Sequence, residues 1–303
     1  MNETKSIHAS DARRAKMPNL FLIGASKSGS SALHAYLGQH PDIAASSEKE
    51  PCFFVDQAEL QEAWPIRSRH AHSYDLDAYL ALWPSDTTAR YRVEASVYYS
   101  QTPHRSRVPE RIFSACPQAR IIYVVREPAE RAIGHYWQRF KEFQETRSLD
   151  DALREEPLYR DTSDYALQLE AYLKVFPREQ IRIVIAEELR AARRDTLQSL
   201  FDWLGIASVT LSDTQLRDRH VSPSTSRAAR HPAIRAVRDS ALWAQMRRVL
   251  PRSAVDYLRR QATRPVDKTA VDDAAARAWL ASELAPRRAA FEALLGRHVD
   301  AWD

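Results

Sequence analysis

Residues 20–37 read LFLIGASKSGSSALHAYL, and this stretch decides the predicted fold. It begins as a short apolar strand, continues through a loop rich in glycine and serine, and ends as a helix that starts at Ser30. The first turn of a helix has backbone N–H groups without helical partners and a partial positive charge. A strand that leads through such a loop into a helix therefore predicts an anion-binding site at the loop.

The loop is similar in layout to the phosphate loop of nucleotide triphosphatases, G-x-x-x-x-G-K-[ST], but the two are not identical. Gly24 and Gly29 have the required spacing, whereas Ser30 follows the second glycine and the lysine is displaced to Lys27. Taken alone, the segment is also compatible with an ordinary strand-to-helix turn. A second motif is needed to choose between the two interpretations.

Short β-rich runs alternate with longer helical stretches along the first two thirds of the chain. The runs are nearly continuous in apolar residues, which is typical of strands buried on both faces of a parallel sheet. We therefore predict an α/β fold, a P-loop-like parallel sheet flanked by helices, whose ligand crevice opens at the carboxyl ends of the strands. The predicted strands are residues 19–24, 90–95, 120–125 and 180–186, with a further short strand near 43–45, and the predicted helices are 30–39, 76–83, 108–115, 128–143, 163–176 and 188–204.

The strand pattern stops after Gly205, and the rest of the chain is predicted to be helical. Residues 207–230 have the composition of a loop rich in serine and arginine. Gly296 is placed where a glycine commonly ends a helix. The predicted helices of this region are residues 231–250, 253–261 and 271–295.

Composition indicates a folded chain without a membrane span. The chain has 303 residues, 44% of them hydrophobic, which is enough for a packed core. The longest apolar runs are of strand length, far short of the roughly 20 residues that cross a bilayer. The polar N-terminus lacks the apolar stretch of a secretory signal, and Cys52 and Cys116 are expected to be reduced thiols, so we predict a cytoplasmic location.

We expect a flexible tail over residues 1–17 and a single domain over residues 18–303. Within that domain, residues 18–205 are predicted to form the α/β core. Residues 206–303 are predicted to form a basic loop and a helical C-terminal region, which differs from the core in charge as well as in secondary structure.

The net charge of +4 is unevenly distributed along the sequence. Residues 217–268 contain 13 Lys or Arg and 4 Asp or Glu, so the remainder of the chain is net negative. A basic stretch of this kind is suited to nucleic acid, to a phosphate-bearing small molecule or to an anionic surface, and it also describes solvated helix faces. Because the stretch has no recognisable nucleic-acid reader motif, we do not expect nucleic acid as a partner.

The second informative motif is residues 126–136, REPAERAIGHY, which follow the predicted strand 120–125. Pro128 suits the first turn of a helix, so Arg126 projects from the carboxyl end of a buried strand beside a helix N-terminus. A guanidinium in that position suits a bidentate phosphate contact. A Mg-dependent triphosphatase is expected to have an Asp there to hold the metal, so the residues predict transfer from a nucleotide without a divalent metal.

Together the two motifs resemble those of the sulfotransferase family, whose enzymes use 3'-phosphoadenosine 5'-phosphosulfate (PAPS). The family's 5'-phosphosulfate loop resembles residues 27–31, and its 3'-phosphate motif, R-x-P-x-x-R-A-x-S-x-Y, resembles residues 126–136. Order and spacing both match. Further stretches are similar to the branch that contains heparan-type and small bacterial enzymes, namely residues 40–44, 48–50, 53–54, 165–189 and 294–302.

The resemblance implies PAPS as the donor, 3'-phosphoadenosine 5'-phosphate (PAP) as the product and no required metal. The implied acceptor is a small molecule or glycan, sulfated on a hydroxyl or, as the second choice, on an amine. The resemblance also assigns roles to individual residues: Lys27 contacts the bridging oxygen, Ser28, Gly29, Ser30 and Ser31 cradle the 5'-phosphate, Arg126 binds the 3'-phosphate, and Glu50 is the catalytic base.

The sequence departs from the family pattern at the 3'-phosphate motif and near the acceptor. Gly134 stands where the family usually has a serine that also binds the 3'-phosphate. Either the backbone, a water molecule or a residue such as Arg219 or Arg227 replaces that hydroxyl, or the affinity for the donor is weaker. Cys52 and Ala95 stand where heparan-type enzymes have a histidine and a lysine. The acceptor therefore cannot be inferred from those relatives.

Other residues and other functions stay open at this point. Glu94 and His34 are alternative bases, and the aromatic residues Trp64, Tyr98, Tyr99 and Tyr165 are candidate walls of an acceptor pocket. An atypical P-loop nucleotide kinase or triphosphatase is one alternative function, although the displaced lysine and the missing strand-end Asp disfavour it. A nucleic-acid-binding module built on residues 217–268 is the other.

Overall fold

A five-stranded parallel sheet contains every strand predicted for the first two thirds of the chain. Its order is β2-β3-β1-β4-β5, and each neighbouring pair is parallel. These strands are β1 (Leu20–Leu22), β2 (Ile43–Ala45), β3 (Tyr91–Ala95), β4 (Arg120–Val125) and β5 (Ile181–Ile185), and two further strands, β6 (Thr225–Ala229) and β7 (Thr263–Asp267), lie outside the sheet. The predicted α/β class with a parallel sheet flanked by helices is confirmed.

Both faces of the sheet are covered, which explains the unbroken apolar runs. In β1, Leu20 and Leu22 pack into one apolar core and Phe21 into the other, and all three are fully buried. Ile121 and Ile122 of β4 are divided between the two cores in the same way. Because successive side chains of a strand point to opposite faces, a strand buried on both faces has no polar alternation.

The coordinates are a computed structural model that describes residues 11–217, 223–231 and 233–303. In these residues the α-helices are α1 (Asp11–Arg14), α2 (Ser30–Leu37), α3 (Gln57–Ala63), α4 (Leu76–Leu80), α5 (Val108–Ala115), α6 (Pro128–Lys141), α7 (Leu149–Glu155), α8 (Pro157–Asp161), α9 (Tyr165–Leu173), α10 (Ala186–Ala191), α11 (Arg193–Leu204), α12 (Ala233–Asp239), α13 (Ala241–Val249), α14 (Arg252–Ala262) and α15 (Ala274–Leu295). Within this described part, no helix combines the length and the apolar character that a membrane span requires.

The described residues group into two compact units. The first consists of residues 11–127, 164–217 and 287–303 and contains the parallel sheet. The second consists of residues 128–163 and the described part of 221–286. The second unit has its own apolar core, in which Ala132, Leu153 and Leu280 are fully buried. The single domain expected over residues 18–303 stays a prediction.

The prediction that strands are absent after Gly205 is wrong. β6 and β7 pair antiparallel in the second unit, with Ser226 opposite Val266, and β6 lies within the segment 207–230 that was predicted to be a loop. β6 reads TSRAA and β7 reads TRPVD, so neither has the apolar alternation from which a strand is predicted. The two strands form because segments far apart in sequence pair with each other, which is a tertiary effect.

Other differences concern the ends and breaks of elements. Within residues 1–17, expected to be a tail, α1 forms a short helix and Met17 is buried in the core. The helix predicted over 188–204 is two helices, α10 and α11, separated at Ala192. Gly296 adopts a positive φ of 78° directly after α15, as predicted for the residue that ends this helix.

Candidate functional site

The glycine- and serine-rich loop and Arg126 emerge at the same edge of the sheet. β1 and β4 are neighbours, and their pairing continues past β1, since Val124 N–H donates to Gly24 O at 2.9 Å. The loop after β1 therefore begins beside Val124, near the end of β4, and Arg126 directly follows Val125, the last residue of β4. Carboxyl ends of adjacent parallel strands form the ligand crevice of this fold class.

The backbone of the loop depends on two glycines. Gly24 has a φ of +146°, and a Cβ at this position would clash with the Ser100 hydroxyl, so a larger residue is disfavoured there. Gly29 has a φ of +91° and precedes α2 as its N-cap. Within the described structure no side chain caps the first turn of α2. That turn therefore keeps backbone N–H groups available for an anion.

The serines of the loop differ in their surroundings. Ser28 is 1% exposed, and its hydroxyl oxygen is buried with no hydrogen-bond partner among the described residues. A buried hydroxyl without a partner costs free energy, and this is the situation expected of a group whose partner is a bound ligand. Ser30 is also buried, whereas Ser31 is half-buried and accepts a hydrogen bond. The loop therefore fits a polar, anionic ligand.

Lys49 connects the loop to Glu50. Its ammonium group donates to the Ser31 hydroxyl at 2.7 Å and lies 3.7 Å from the Glu50 carboxylate. The other carboxylate oxygen of Glu50 accepts from Val97 N–H at 2.8 Å, and Glu50 N–H donates to Ala95 O at 2.8 Å. The Glu50 side chain is 16% exposed. The structure thus brings the predicted base and the predicted phosphate loop together.

Burial sets the protonation behaviour of this pair. Desolvation raises the pKa of Glu50, and the Lys49 ammonium and the Val97 amide partly oppose that effect. Burial lowers the pKa of Lys49, opposed by the neighbouring Glu50. A carboxylate with a raised pKa is a stronger base than a solvated one, so the surroundings of Glu50 suit proton abstraction.

Glu94, the alternative base, lies in the interior of the first unit. Its side chain is completely buried, and the hydroxyls of Tyr79 and Tyr99 both donate to one carboxylate oxygen. The Ser96 hydroxyl donates to the other oxygen at 2.6 Å. Burial raises the pKa of Glu94 to about 7, partly opposed by these three hydrogen bonds. The carboxylate is enclosed by hydroxyl groups, away from open solvent.

His34, the other alternative base, is packed within α2. It is 8% exposed, and its Nε2 lies 3.4 Å from the Ser46 hydroxyl. Burial, together with the positive charge of Lys49, lowers the pKa of His34 to about 4. An imidazole with that pKa is neutral at physiological pH and is a weak proton acceptor.

Tyr165 holds the backbone of Arg126. The Tyr165 hydroxyl donates to Arg126 O at 2.7 Å and accepts from Arg126 N–H at 3.3 Å. The Tyr165 ring is 1% exposed and packs against Tyr123, Phe291 and Trp302. The sequence suggested Tyr165 as a wall of an acceptor pocket. In the structure Tyr165 is buried in this aromatic group, and its hydroxyl holds the backbone of Arg126 instead.

The remaining candidates for the 3'-phosphate lie in the second unit or outside the described residues. Gly134 is half-buried on α6. Arg227, on β6, donates from Nε to the Thr263 hydroxyl. Arg131 of the same motif is fully buried and donates to Ser163 Oγ at 2.7 Å, which is a structural contact. Arg219 lies outside the described residues. The roles expected of Gly134, Arg219 and Arg227 stay predictions.

Two of the predicted acceptor-wall residues form an aromatic pair beside Glu50. Trp64 and Tyr98 stack with ring centroids 5.7 Å apart and an interplanar angle of 20°. The Arg67 guanidinium lies 5.0 Å from the Trp64 centroid, and the Arg105 guanidinium 5.9 Å from that of Tyr98. Trp64 and Tyr98 are both half-buried, and Val97, next to Tyr98, is the residue whose amide binds Glu50. Tyr99, in contrast, is buried in the Glu94 cluster.

Glu48, His70 and His72 form a group with metal-ligand chemistry near this pair. Their potential ligand atoms all lie within 4.8 Å of one another. The Arg67 guanidinium, however, approaches two of them, with Nη1 2.7 Å from His72 Nε2 and 3.2 Å from Glu48 Oε2. A permanent cation therefore occupies the position that a metal ion would take, and the group is better described as an ion-pair cluster.

Two contacts of this site were not predicted. The sequence shows only that Lys49 precedes Glu50. The contact of Lys49 with Ser31 depends on the distance between α2 and the segment after β2. The contact between Tyr165 and Arg126 has no sequence signal, because the residues are 39 positions apart and the hydroxyl binds backbone atoms.

Comparison with known proteins identifies the family of this chain. A model of the sulfotransferase family matches residues 18–210. The mouse bifunctional heparan sulfate N-deacetylase/N-sulfotransferase 1 is 25% identical over 227 residues, which are 67% of this chain and 24% of that protein. The human bifunctional heparan sulfate N-deacetylase/N-sulfotransferase 3 is 27% identical over 214 residues, 63% of this chain and 22% of that protein. The chain thus matches only about a quarter of the length of these curated relatives.

One solved structure is similar along nearly the whole chain. The crystal structure of a sulfotransferase from Alicyclobacillus acidocaldarius superposes with a TM-score of 0.64 at 25% sequence identity. The match covers 94% of this chain and 98% of that one. The similarity therefore includes the α/β core and extends into the C-terminal region.

Proposed function

Because this chain belongs to the sulfotransferase family, we propose that it transfers a sulfuryl group from PAPS to an acceptor hydroxyl or, as the second choice, to an amine. PAP is the second product. The acceptor is a carbohydrate or a secondary metabolite, that is, a glycan or a small molecule. The observation that supports the proposal is the carboxyl edge of the sheet, at which the glycine- and serine-rich loop and Arg126 follow neighbouring strands and Lys49 links the loop to Glu50.

The two ends of the donor are assigned to two strands. The loop after β1 supplies amides, the hydroxyls of Ser28, Ser30 and Ser31, and the ammonium of Lys27 to the 5'-phosphosulfate. Arg126, after β4, supplies a guanidinium to the 3'-phosphate. These groups supply positive charge and hydrogen-bond donors without a metal, and the position after β4 is an Arg rather than a metal-binding Asp. We therefore include independence from divalent metal in the proposal.

The transfer step needs a base and a group that stabilises the leaving oxygen. Glu50 accepts the proton of the acceptor O–H, and the acceptor oxygen forms a bond to sulfur. The bond between sulfur and the bridging oxygen breaks, and the negative charge moves to the 5'-phosphate of PAP. Lys27 donates a hydrogen bond to that oxygen as its charge develops. The products are the sulfated acceptor, PAP and protonated Glu50.

Lys49 has a supporting role in this proposal. Its contact with Ser31 keeps the loop and the base at a constant separation, and its charge stabilises the ionised form of Glu50. The Val97 amide orients the second carboxylate oxygen. The stacked pair of Trp64 and Tyr98 beside this amide is a candidate wall of the acceptor site.

A cytoplasmic location and membership of the small bacterial branch are also part of the proposal. Cys52 and Cys116 are buried free thiols, which is compatible with a reducing compartment. Burial raises the pKa of both thiols, so neither is a reactive thiolate.

Donor binding is the first experiment. PAP is expected to bind the protein in the presence of EDTA and to raise its melting temperature, because a ligand that binds only the folded state stabilises that state. Stabilisation by Mg-ATP alone, with no response to PAP, would instead favour the nucleotide kinase alternative. Turnover is then measured with radiolabelled PAPS against pools of glycans and small hydroxyl compounds.

Arg126→Ala tests the assignment of the 3'-phosphate. Loss of charged hydrogen bonds is expected to weaken PAP affinity by about 10- to 100-fold. Arg120→Ala is the matched control, because Arg120 lies at the opposite end of β4, where it donates to Glu179 O and faces Trp203. Near-normal PAP affinity in Arg126→Ala would show that the 3'-phosphate pocket has been assigned to the wrong residue.

A further inference from the structure

Exposed large apolar side chains are concentrated in one part of the second unit. Within the described residues of the first unit, only Ile66 and Tyr74 are of this kind. The others all lie on α12, α13 and α14, a segment of about 30 residues, and they are Val237, Leu242, Met246, Val249, Tyr257 and Leu258. Concentrated apolar exposure of this kind marks an interaction surface.

The two longer helices of this segment each present an apolar side. Leu242, Met246 and Val249 on α13 are spaced by four and three residues, so they lie on one face of the helix. Leu242 is 68% exposed and Val249 is 85% exposed. On α14, none of the eleven residues is buried, and Tyr257 and Leu258 are both exposed. Nothing in the described chain covers these side chains.

The same segment is strongly basic. Residues 233–264 contain eight arginines against two aspartates, and no lysine or glutamate. Arg252, Arg259, Arg260 and Arg264 are exposed. Among the described residues, none of these four guanidinium groups forms an ion pair with a carboxylate, and Arg260 donates to the backbone oxygen of Asp256. Residues 233–264 therefore combine exposed apolar side chains with exposed guanidinium groups that form no ion pair in the described part of the chain, at Arg252, Arg259, Arg260 and Arg264.

These two properties discriminate between possible partners. A second copy of this chain would cover the apolar groups but would bring like charges together. A polyanion such as nucleic acid would pair with the arginines but would leave the apolar side chains in water. An anionic bilayer satisfies both, because apolar side chains enter the acyl boundary while arginines remain at the charged headgroups.

We propose that α12, α13 and α14 form a docking surface for an anionic lipid membrane. The protein would lie on the bilayer without crossing it. Binding depends on electrostatic attraction and on insertion of apolar side chains. It therefore increases with the fraction of anionic lipid, decreases with salt and requires the apolar side chains of α13. The proposal concerns surface residues with no part in the transfer step, and it stands apart from the proposed donor chemistry.

Vesicle sedimentation with the full-length protein tests this surface. We expect the protein to pellet with vesicles of phosphatidylcholine and phosphatidylglycerol at low salt, and to pellet much less with phosphatidylcholine alone. The double variant Leu242→Ser/Val249→Ser is expected to bind anionic vesicles at least about tenfold more weakly, because two apolar side chains no longer insert. Arg259→Glu/Arg260→Glu is expected to lose a similar factor and most of the salt dependence.

Tyr74→Ser is the matched control, since Tyr74 is 49% exposed and lies outside this surface. It is expected to bind vesicles like the wild type, and far-UV circular dichroism checks that all variants are folded. The proposal is overturned if the wild type does not pellet with anionic vesicles, or if the α13 double variant binds them normally. It is also overturned if light scattering detects a dimer that the α13 variant abolishes, because the surface would then join two copies.

Discussion

Glu50 and Glu94 are two shielded glutamates that both form hydrogen bonds with residues 95–97, but the groups that surround their carboxylates differ. Glu50 lies at the carboxyl edge of the sheet, 16% exposed, with an ammonium group from Lys49 and an amide from Val97. Glu94 lies on β3 in the interior, fully buried, with hydroxyl donors only. Both carboxyl groups have a raised pKa because of burial.

The difference shows that a perturbed pKa alone does not identify a base. A general base must also be accessible to solvent or substrate, and a nearby positive charge must stabilise its ionised form. Glu50 is partly exposed and lies beside the Lys49 ammonium group. Glu94 is enclosed by three hydroxyl donors in the interior. We therefore expect the two residues to affect different measurements when each is changed to glutamine.

The largest expected effect is a difference in the rate of sulfuryl transfer between Glu50→Gln and Glu94→Gln. Glu50→Gln is expected to lower the rate of sulfuryl transfer by about 10²- to 10⁴-fold, because the general base is removed, while PAP affinity stays unchanged. Glu94→Gln is expected to keep the rate within a few-fold of the wild type. Single-turnover rates with radiolabelled PAPS give the comparison. If Glu50→Gln keeps the wild-type rate and Glu94→Gln loses it, the two roles have been exchanged.

The next effect concerns stability and belongs to Glu94. Its folded-state pKa of about 7 is above the unfolded value of 4.5, so between these pH values the unfolded chain releases a proton that the folded chain retains. Stability from this residue is therefore full below about pH 4.5 and falls by roughly 3 kcal/mol as the pH rises to about 7.

Glu94→Gln is expected to remove most of that fall, because glutamine does not ionise and its carbonyl can still accept from both tyrosines. The free energy of unfolding is measured by denaturant titration at pH 5 and at pH 7.5 for both proteins. Glu62→Gln, a change at an exposed glutamate of α3, is the matched glutamate-to-glutamine control. An equal decrease with pH in the wild type and in Glu94→Gln would mean that another group causes it.

The smallest expected effect is a shift in the pH dependence of kcat/KM, caused by a change at Lys49 beside Glu50. The Lys49 charge lowers the pKa of Glu50, so Lys49→Met is expected to raise that pKa further. Because the base must be ionised to act, the acidic limb of kcat/KM against pH should move to higher pH. Lys49→Arg retains the charge and should keep the limb near its original position. A limb that stays in place in Lys49→Met would show that Glu50 does not control it.

Much of the sheet and the loop could be predicted from local sequence. Strands such as 120–125 are apolar at every central position. The spacing of Gly24 and Gly29 before a helix is typical of the loop that joins a strand to a helix in phosphate-binding folds. The strands β6 and β7 could not be predicted, since each is polar and exists only through the other. The hydrogen bond from the Tyr165 hydroxyl to the Arg126 backbone likewise joins residues 39 positions apart, and no local pattern predicts it.

By itself, the sequence determined that this chain has a parallel α/β core with a glycine- and serine-rich loop before a helix and a strand-end arginine, because short-range patterns of apolar, glycine and serine residues specify these elements. Only the tertiary structure decided which of two buried glutamates lies beside the loop, and which tyrosine holds Arg126. It also decided that Arg252, Arg259 and Arg260 of α14 are exposed in the same segment as uncovered apolar side chains. The reason is physical: burial and hydrogen-bond partners come from segments that meet in space, and local sequence does not encode which segments meet.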